Sequence, residues 1–169
     1  GLKIALLCND AHLENPGQPA TSAIIGDPTE VALYRAARES GLDITELTRS
    51  YSRKFELPFD AGKRFMATRH EFKKDSDVIY AKGAPEKILS FCSYYLADGE
   101  IRRMGKDERD KIHKDVTRLA GKGLRMLATA YRRHDTGDPD FAEDDLKEMV
   151  FVALFGLQDF ITSRHLQNM

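Results

Sequence analysis

The sequence predicts an α+β fold, a mainly antiparallel twisted sheet of about six or seven strands flanked by helices. Three observations carry it. Extended apolar runs outnumber amphipathic helical stretches. Some of these runs are joined directly by turn residues such as Asp60-Ala61-Gly62, so they read as hairpins. Strand and helix also fail to alternate regularly, as a doubly wound α/β sheet requires.

The elements follow in order. Lys3–Cys8 is short and apolar and reads as a buried strand, and the polar stretch Asn9–Thr21, with Asn15-Pro16-Gly17, reads as a loop. Asp27-Pro28-Thr29-Glu30 opens a helix to about Ser40, closed by Gly41. Asp27 suits the N-cap, Pro28 the first helical position and Glu30 the reciprocal place of a capping box. Phe55, Leu57 and Phe59 then alternate with polar residues up to the turn, and Arg64–Thr68 returns as the second strand of a hairpin. Asp77–Lys82 is a third strand ending at Gly83. Pro85 starts a helix through Cys92, and Asp98-Gly99 is a turn. Asp107–Ala120 is a charged amphipathic helix with Ile112, Val116 and Leu119 on one face. Leu124–Tyr131 and Val150–Phe155 are apolar enough for central strands, separated by the acidic loop Asp135–Asp145.

Composition narrows the function. The 169 residues suffice for one domain or a compact pair, and hydrophobic (41%) and charged (31%) fractions are those of a globular chain. Lys and Arg number 26 against 27 Asp and Glu, a net charge of −1, so no nucleic-acid partner is expected. The longest apolar stretch, Met149–Leu157, is about half the roughly 20 residues a membrane helix needs, so direct membrane contact is not expected. Gly1–Cys8 lacks a basic-then-apolar leader, and Cys8 and Cys92 form no C-x-x-C pair, which fits a reducing, cytosolic setting. No P-loop, nucleophile elbow or EF-hand spacing occurs, and the five histidines lack metal-ligand spacing. No catalytic residue and no metal site is therefore assigned.

Several residues have chemistry that suits a nucleotide. Phe59 ends a strand beside a turn, where an open aromatic face can stack a base; by residue type alone, a core position on the hairpin is the commoner outcome. Lys82 ends a strand, and Gly83 after it allows close approach to the backbone. Ala84 is a poor N-cap, which leaves amides of the Pro85 helix without a side-chain partner. Glu30 completes the capping box by its spacing from Asp27, and its carboxylate is also a hydrogen-bond acceptor. Arg125 either clamps phosphate or lies on the surface of its strand.

Four segments, taken in order, resemble one family. Gly26-Asp27-Pro28-Thr29-Glu30-Val31-Ala32-Leu33 is similar to the G-[DE]-x-T-E-x-A-L signature of P-type cation-transporting ATPases. Phe59-Asp60 with Arg64-Phe65-Met66 is similar to its P-F-D-S-x-x-K-x-M segment. Lys82-Gly83-Ala84-Pro85-Glu86 matches its K-G-A-P-E signature without change, and Gly123–Ala128 resembles its G-L-R-V-L-A strand. The resemblance is to the nucleotide-binding domain of the calcium-pump-like branch. Ala61 departs from the family pattern, which there often has Ser or Arg. Residues 159–164 do not continue the approach to D-P-P-R, and D-K-T-G-T, which carries the phosphorylated Asp, occurs nowhere in the chain.

The resemblance implies an ATP-binding domain over residues 1–158, its ends forming a hinge to a phosphorylation domain, and a divergent or disordered tail over 159–169. Lys3–Cys8 and Val150–Phe155 should then lie side by side. The implied nucleotide-binding set is Phe59, Lys82, Glu30, Arg125, Arg64, Met66, Gly83 and Ala84. Here Phe59 stacks adenine, Lys82 is the pocket lysine, Arg64 lies near the phosphates and Met66 is an apolar wall. The ligand is ATP, with Mg²⁺ held through its phosphates and a separate domain. Partners are the phosphorylation and actuator domains of the same pump, at the cytoplasmic face of a membrane; the chain alone is expected to be monomeric and not to hydrolyse ATP. The rival readings are an α+β interaction module that no longer binds nucleotide and a kinase-like phosphotransferase, which Asp159-Phe160 superficially suggests.

Overall fold

The computed structural model describes residues 1–18, 21–73, 76–135 and 141–158. The elements run α1 (Leu2–Leu7), β1 (His12–Leu13), β2 (Ile24–Ile25), α2 (Pro28–Glu39), α3 (Ile44–Ser50), β3 (Arg53–Asp60), β4 (Phe65–Lys73), β5 (Ser76–Gly83), α4 (Pro85–Phe91), β6 (Cys92–Ala97), β7 (Glu100–Arg103), α5 (Lys106–Ala120), β8 (Leu124–Asp135) and β9 (Met149–Gln158). Strands β1 and β2 pair as a small ribbon, and the rest form a seven-stranded sheet in the order β3-β4-β5-β8-β9-β6-β7. Only β6 and β9 run parallel. The α+β architecture read from the sequence is the observed one.

The sheet is the middle of three layers. On one face Phe65, Ala67, Ile79, Ala81, Ala128 and Ala130 pack on Ile88 and Leu89 of α4. On the other, Met66, Val78 and Tyr80 meet Ile4, Leu7 and Cys8 in and just after α1. A third cluster joins Leu6 of α1 to Tyr34 and Ala37 of α2. Alternate residues of β4 and β5 thus serve opposite faces, as the pleat requires.

Two expectations need correction. Lys3–Cys8 is not a strand: Leu2–Leu7 is helical, with Ile4, Ala5, Leu6 and Leu7 buried. A short helix sandwiched between a sheet and a second helix is apolar nearly all round, so its sequence has the continuous character of a buried strand. Against the sheet the helix packs mainly on β5 and β8, and only its N-terminal end comes near β9: Ile4 shares a cluster with Val152, and a Cβ on Gly1 would come within 2.7 Å of that of Ala153. Cys92, expected to end α4, instead begins β6. That strand, its hairpin partner β7 and helix α3 have no counterpart in the sequence reading. The turn Asp98-Gly99 was found, and both residues have positive φ (53° and 81°), as a two-residue hairpin loop demands. The expected tail, 159–169, and residues 136–140 of the acidic loop lie outside the described residues.

Candidate functional site

The site is built where β5 ends beside the start of α2. Val78, Tyr80 and Lys82 point to the same face, so Lys82 continues an apolar row and is only 5% exposed. Its ammonium is 2.6 Å from Oε1 of Glu30, in the first turn of α2. An ammonium this deep needs a close counter-charge, since burying an unpaired one is costly. Glu30 therefore does not close a capping box. The cap is Asp27 alone, whose carboxylate accepts the Thr29 N–H at 2.8 Å, and Glu30 turns to Lys82 instead.

The position of Glu30 is fixed from behind. The Asn9 side-chain amide donates to the carbonyls of Ala5 and Glu30, each at 3.1 Å, and so ties the end of α1 to the first turn of α2. Arg53 of β3 donates to the Leu7 and Asn9 carbonyls and to Asp10. These polar ties are non-local, and no sequence signature announced them.

Lys82 and Glu30 line a cavity of about 400 Å³, within the range of small-molecule sites. Phe59, Arg64, Gly83, Ala84 and Arg125 line it too. Phe59 is 61% exposed, which removes the core reading. The cause is a bulge. Leu57 pairs with Ala67 and Asp60 with Phe65, three residues on β3 against two on β4. The extra residue breaks the alternation, so Phe59 does not follow Leu57 toward the core.

Gly83 has a packing reason of its own. A Cβ there would lie 2.4 Å from the Arg64 carbonyl oxygen and 2.7 Å from the Phe65 Cα. Ala84 caps α4 without any side-chain hydrogen bond. Arg125 reaches across the cavity and donates to Thr29 Oγ1 at 2.9 Å, joining β8 to the start of α2. Arg64 has φ 60°, and its guanidinium meets Glu86 at 2.6 Å.

Met66 is placed elsewhere. It is wholly buried against α1, behind the cavity and not on its wall. Met126 and Leu127 of β8 supply the apolar lining instead, and Asp10, Asp27 and Thr29 complete the rim. Met126 and Leu127 sit in the G-L-R-V-L-A-like segment, which is the signal that could have found them.

A larger groove, about 570 Å³, runs between α1, α2, α3 and β3. Size does not make it the better candidate. Its main polar groups, Arg53 and His70, are committed to structure: Arg53 as described, and His70 with the Tyr51 carbonyl and Thr68 Oγ1, both at 2.8 Å. Burial lowers the His70 pKa to about 4 despite the Tyr51 hydrogen bond, so its ring is neutral at pH 7. Both cysteines are buried, and burial raises both thiol pKa values, that of Cys92 to about 12. Among the described residues, no group of three or more His, Cys, Asp or Glu is arranged to hold a metal ion, and no helix is long and apolar enough to cross a membrane.

Comparison with known proteins shows the family. Residues 1–163 match the cation ATPase family described as P-type ATPase, cytoplasmic domain N. Over 160 residues the chain is 34% identical to the cation-transporting ATPase pma1 of Synechocystis, covering 94% of this chain and 17% of that protein. It is 30% identical over 158 residues to the calcium-transporting ATPase lmo0841 of Listeria monocytogenes, with coverage of 94% and 17%. It is also 30% identical over 156 residues to the human calcium-transporting ATPase type 2C member 1, with coverage of 90% and 15%. The chain thus spans about a sixth of the length of these relatives. The chain belongs to the P-type ATPase cytoplasmic N-domain family.

Proposed function

We propose that this chain binds ATP in the 400 Å³ cavity and serves as the nucleotide-carrying domain of an ATP-driven cation pump, of the calcium-transporting kind its relatives' names describe. The observation that carries the reading is the convergence, on one cavity, of an exposed Phe59 ring and a buried Lys82–Glu30 pair, with Arg64 and Arg125 beside them. Adenine stacks on Phe59, with the Lys82 ammonium and the Gly83–Ala84 backbone at its edge. Glu30 holds the ammonium and offers an acceptor to the exocyclic amine. Arg64 and Arg125 take the phosphates, where a planar, permanently charged guanidinium fits two oxygens at once. Mg²⁺ would be held by those phosphates and a separate domain and would offset their charge there, while Arg64 and Arg125 hold the phosphates from this chain.

The domain's contribution is positioning. It holds the nucleotide so that the γ-phosphate meets an aspartate on a separate phosphorylation domain, at the cytoplasmic face of the membrane. Part of the phosphate grip then lies outside this chain, so isolated affinity is low, with Kd in the range of about 0.1–10 mM. Displacement of a fluorescent ATP analogue by unlabelled ATP tests this. Phe59→Ala should weaken binding by about 1–3 kcal/mol, the worth of a base stacked on an aromatic ring. Unaltered displacement by the variant would remove Phe59 from the site, and no saturable displacement by the wild-type chain would favour the non-binding module. A purified chain that turns over ATP would contradict the positioning role.

A further inference from the structure

Arg64 occupies its place on the cavity wall through the backbone, not the side chain. Its φ of 60° lies in the left-handed region, which a residue with a side chain keeps only when its surroundings enforce it. Here the enforcement is visible. The Asp60 carbonyl accepts the Arg64 N–H at 2.6 Å, and the Arg64 carbonyl accepts the Ala84 N–H at 3.0 Å. The turn is therefore locked to the start of α4 with the side chain at the cavity.

The guanidinium is held separately. Nη1 lies 2.6 Å from Oε1 of Glu86, whose own side chain does not line the cavity. Both partners remain about half exposed, at 58% and 49%. An ion pair that open to water contributes little to folding. The fold does not depend on it, because the backbone bonds already fix Arg64. A phosphate arriving at the cavity, however, wants the same guanidinium, and it offers more charge and two oxygens in a fork. Lys82 presents the opposite case, since Glu30, its counter-charge, belongs to the cavity lining itself.

Resting on the nucleotide reading above, we propose that Glu86 is an internal competitor for the anionic end of the ligand. It holds the Arg64 guanidinium while no polyphosphate is bound and yields it when one binds, so that it sets how strongly the site favours a triphosphate over the bare nucleoside. Glu86 is a positioning residue in this scheme, acting only through Arg64.

The test is a set of titrations of the whole chain with ATP and with adenosine, using wild type, Glu86→Gln, Arg64→Gln and the double variant. Freeing Arg64 from an exposed carboxylate should tighten ATP about three- to tenfold in Glu86→Gln. Adenosine affinity should not change. In the Arg64→Gln background, Glu86→Gln should have no such effect, which is the coupling a double-mutant cycle isolates. An equal gain with and without Arg64 would mean a general field effect and would overturn the proposal. So would an equal shift for adenosine, or no gain at all. Failure of the wild-type chain to bind either ligand overturns the nucleotide reading and this one with it. Binding that is indifferent to Glu86 overturns this one alone.

Discussion

Strand β5 carries a buried charge near each end, and the protein treats the two in opposite ways. Asp77, at its start, is 0% exposed and has a cation on each oxygen: Lys54 Nζ at 2.9 Å on one and Arg69 Nε at 2.7 Å on the other. Burial alone would raise the Asp77 pKa, but those two hydrogen bonds outweigh it and hold the carboxyl below its ordinary value. Lys82, five residues further along β5 and so on its opposite face, has a single acceptor among the described residues, Glu30, for an ammonium that can donate three bonds. One end is a closed account in which charge locks strands together. The other leaves donor capacity facing a cavity, which is how a binding group differs from a structural one.

The sharpest way to break this comparison is to remove the charge at the closed end. Asp77→Asn removes the carboxylate charge that faces both Lys54 and the nearly buried Arg69, and should cost roughly 3–5 kcal/mol of stability. Urea denaturation measures it, and a loss below about 1 kcal/mol would show that the closed end is not structural. Nucleotide affinity of the folded variant should be unchanged.

Acid probes the same interior through His70. Its folded pKa of about 4 lies below the ordinary 6.5, so between those values the unfolded chain binds the extra proton. Stability should therefore be constant above about pH 6.5 and fall by roughly 2–3 kcal/mol as the pH drops toward 4. The Asp77 contribution persists through that window and is lost only below it, because its folded pKa is depressed. Denaturation midpoints for wild type and His70→Gln across this range separate the two: the variant should show a flatter slope between pH 6.5 and 4, and parallel slopes would exclude His70 as the cause.

The smallest stability effect belongs to the open end. Lys82→Met leaves Glu30 beside a cavity that water can enter, so the cost should be about 1–2 kcal/mol, less than at Asp77. Binding should suffer as well, with ATP affinity falling at least about tenfold, the loss of one charge-assisted contact. Equal penalties on stability at Asp77 and Lys82 would erase the distinction between the two ends.

The parts of this arrangement that the sequence reveals are the local ones. Asp27-Pro28 announces a helix start because capping is settled within three residues. The β3–β4 hairpin follows from alternation and a turn, and Gly83 with Pro85 marks where β5 stops and α4 begins. Of the candidate residues, all but Met66 line one cavity. Long-range choices stay hidden. Alternation sends Phe59 to the same side as Leu57, and only the bulge against β4 reverses it. Glu30 has the sequence position of a capping residue, and its real partner lies 52 residues away. Arg53 and Asn9 join α1, α2 and β3 through backbone carbonyls, which any sequence supplies. Helix α1 is missed because its run from Ile4 to Leu7 is buried and apolar on every side, which leaves no polar face to give it a period.

The most direct measurement is an amide chemical-shift titration of the labelled chain with ATP. Saturable shifts should centre on Glu30, Phe59, Lys82, Gly83 and Ala84, with an apparent Kd of about 0.1–10 mM, while the amides around Asp77 and Arg69 stay still. Shifts gathered in the groove around His70 and Arg53, or none that saturate, would contradict the assignment of this cavity to the nucleotide.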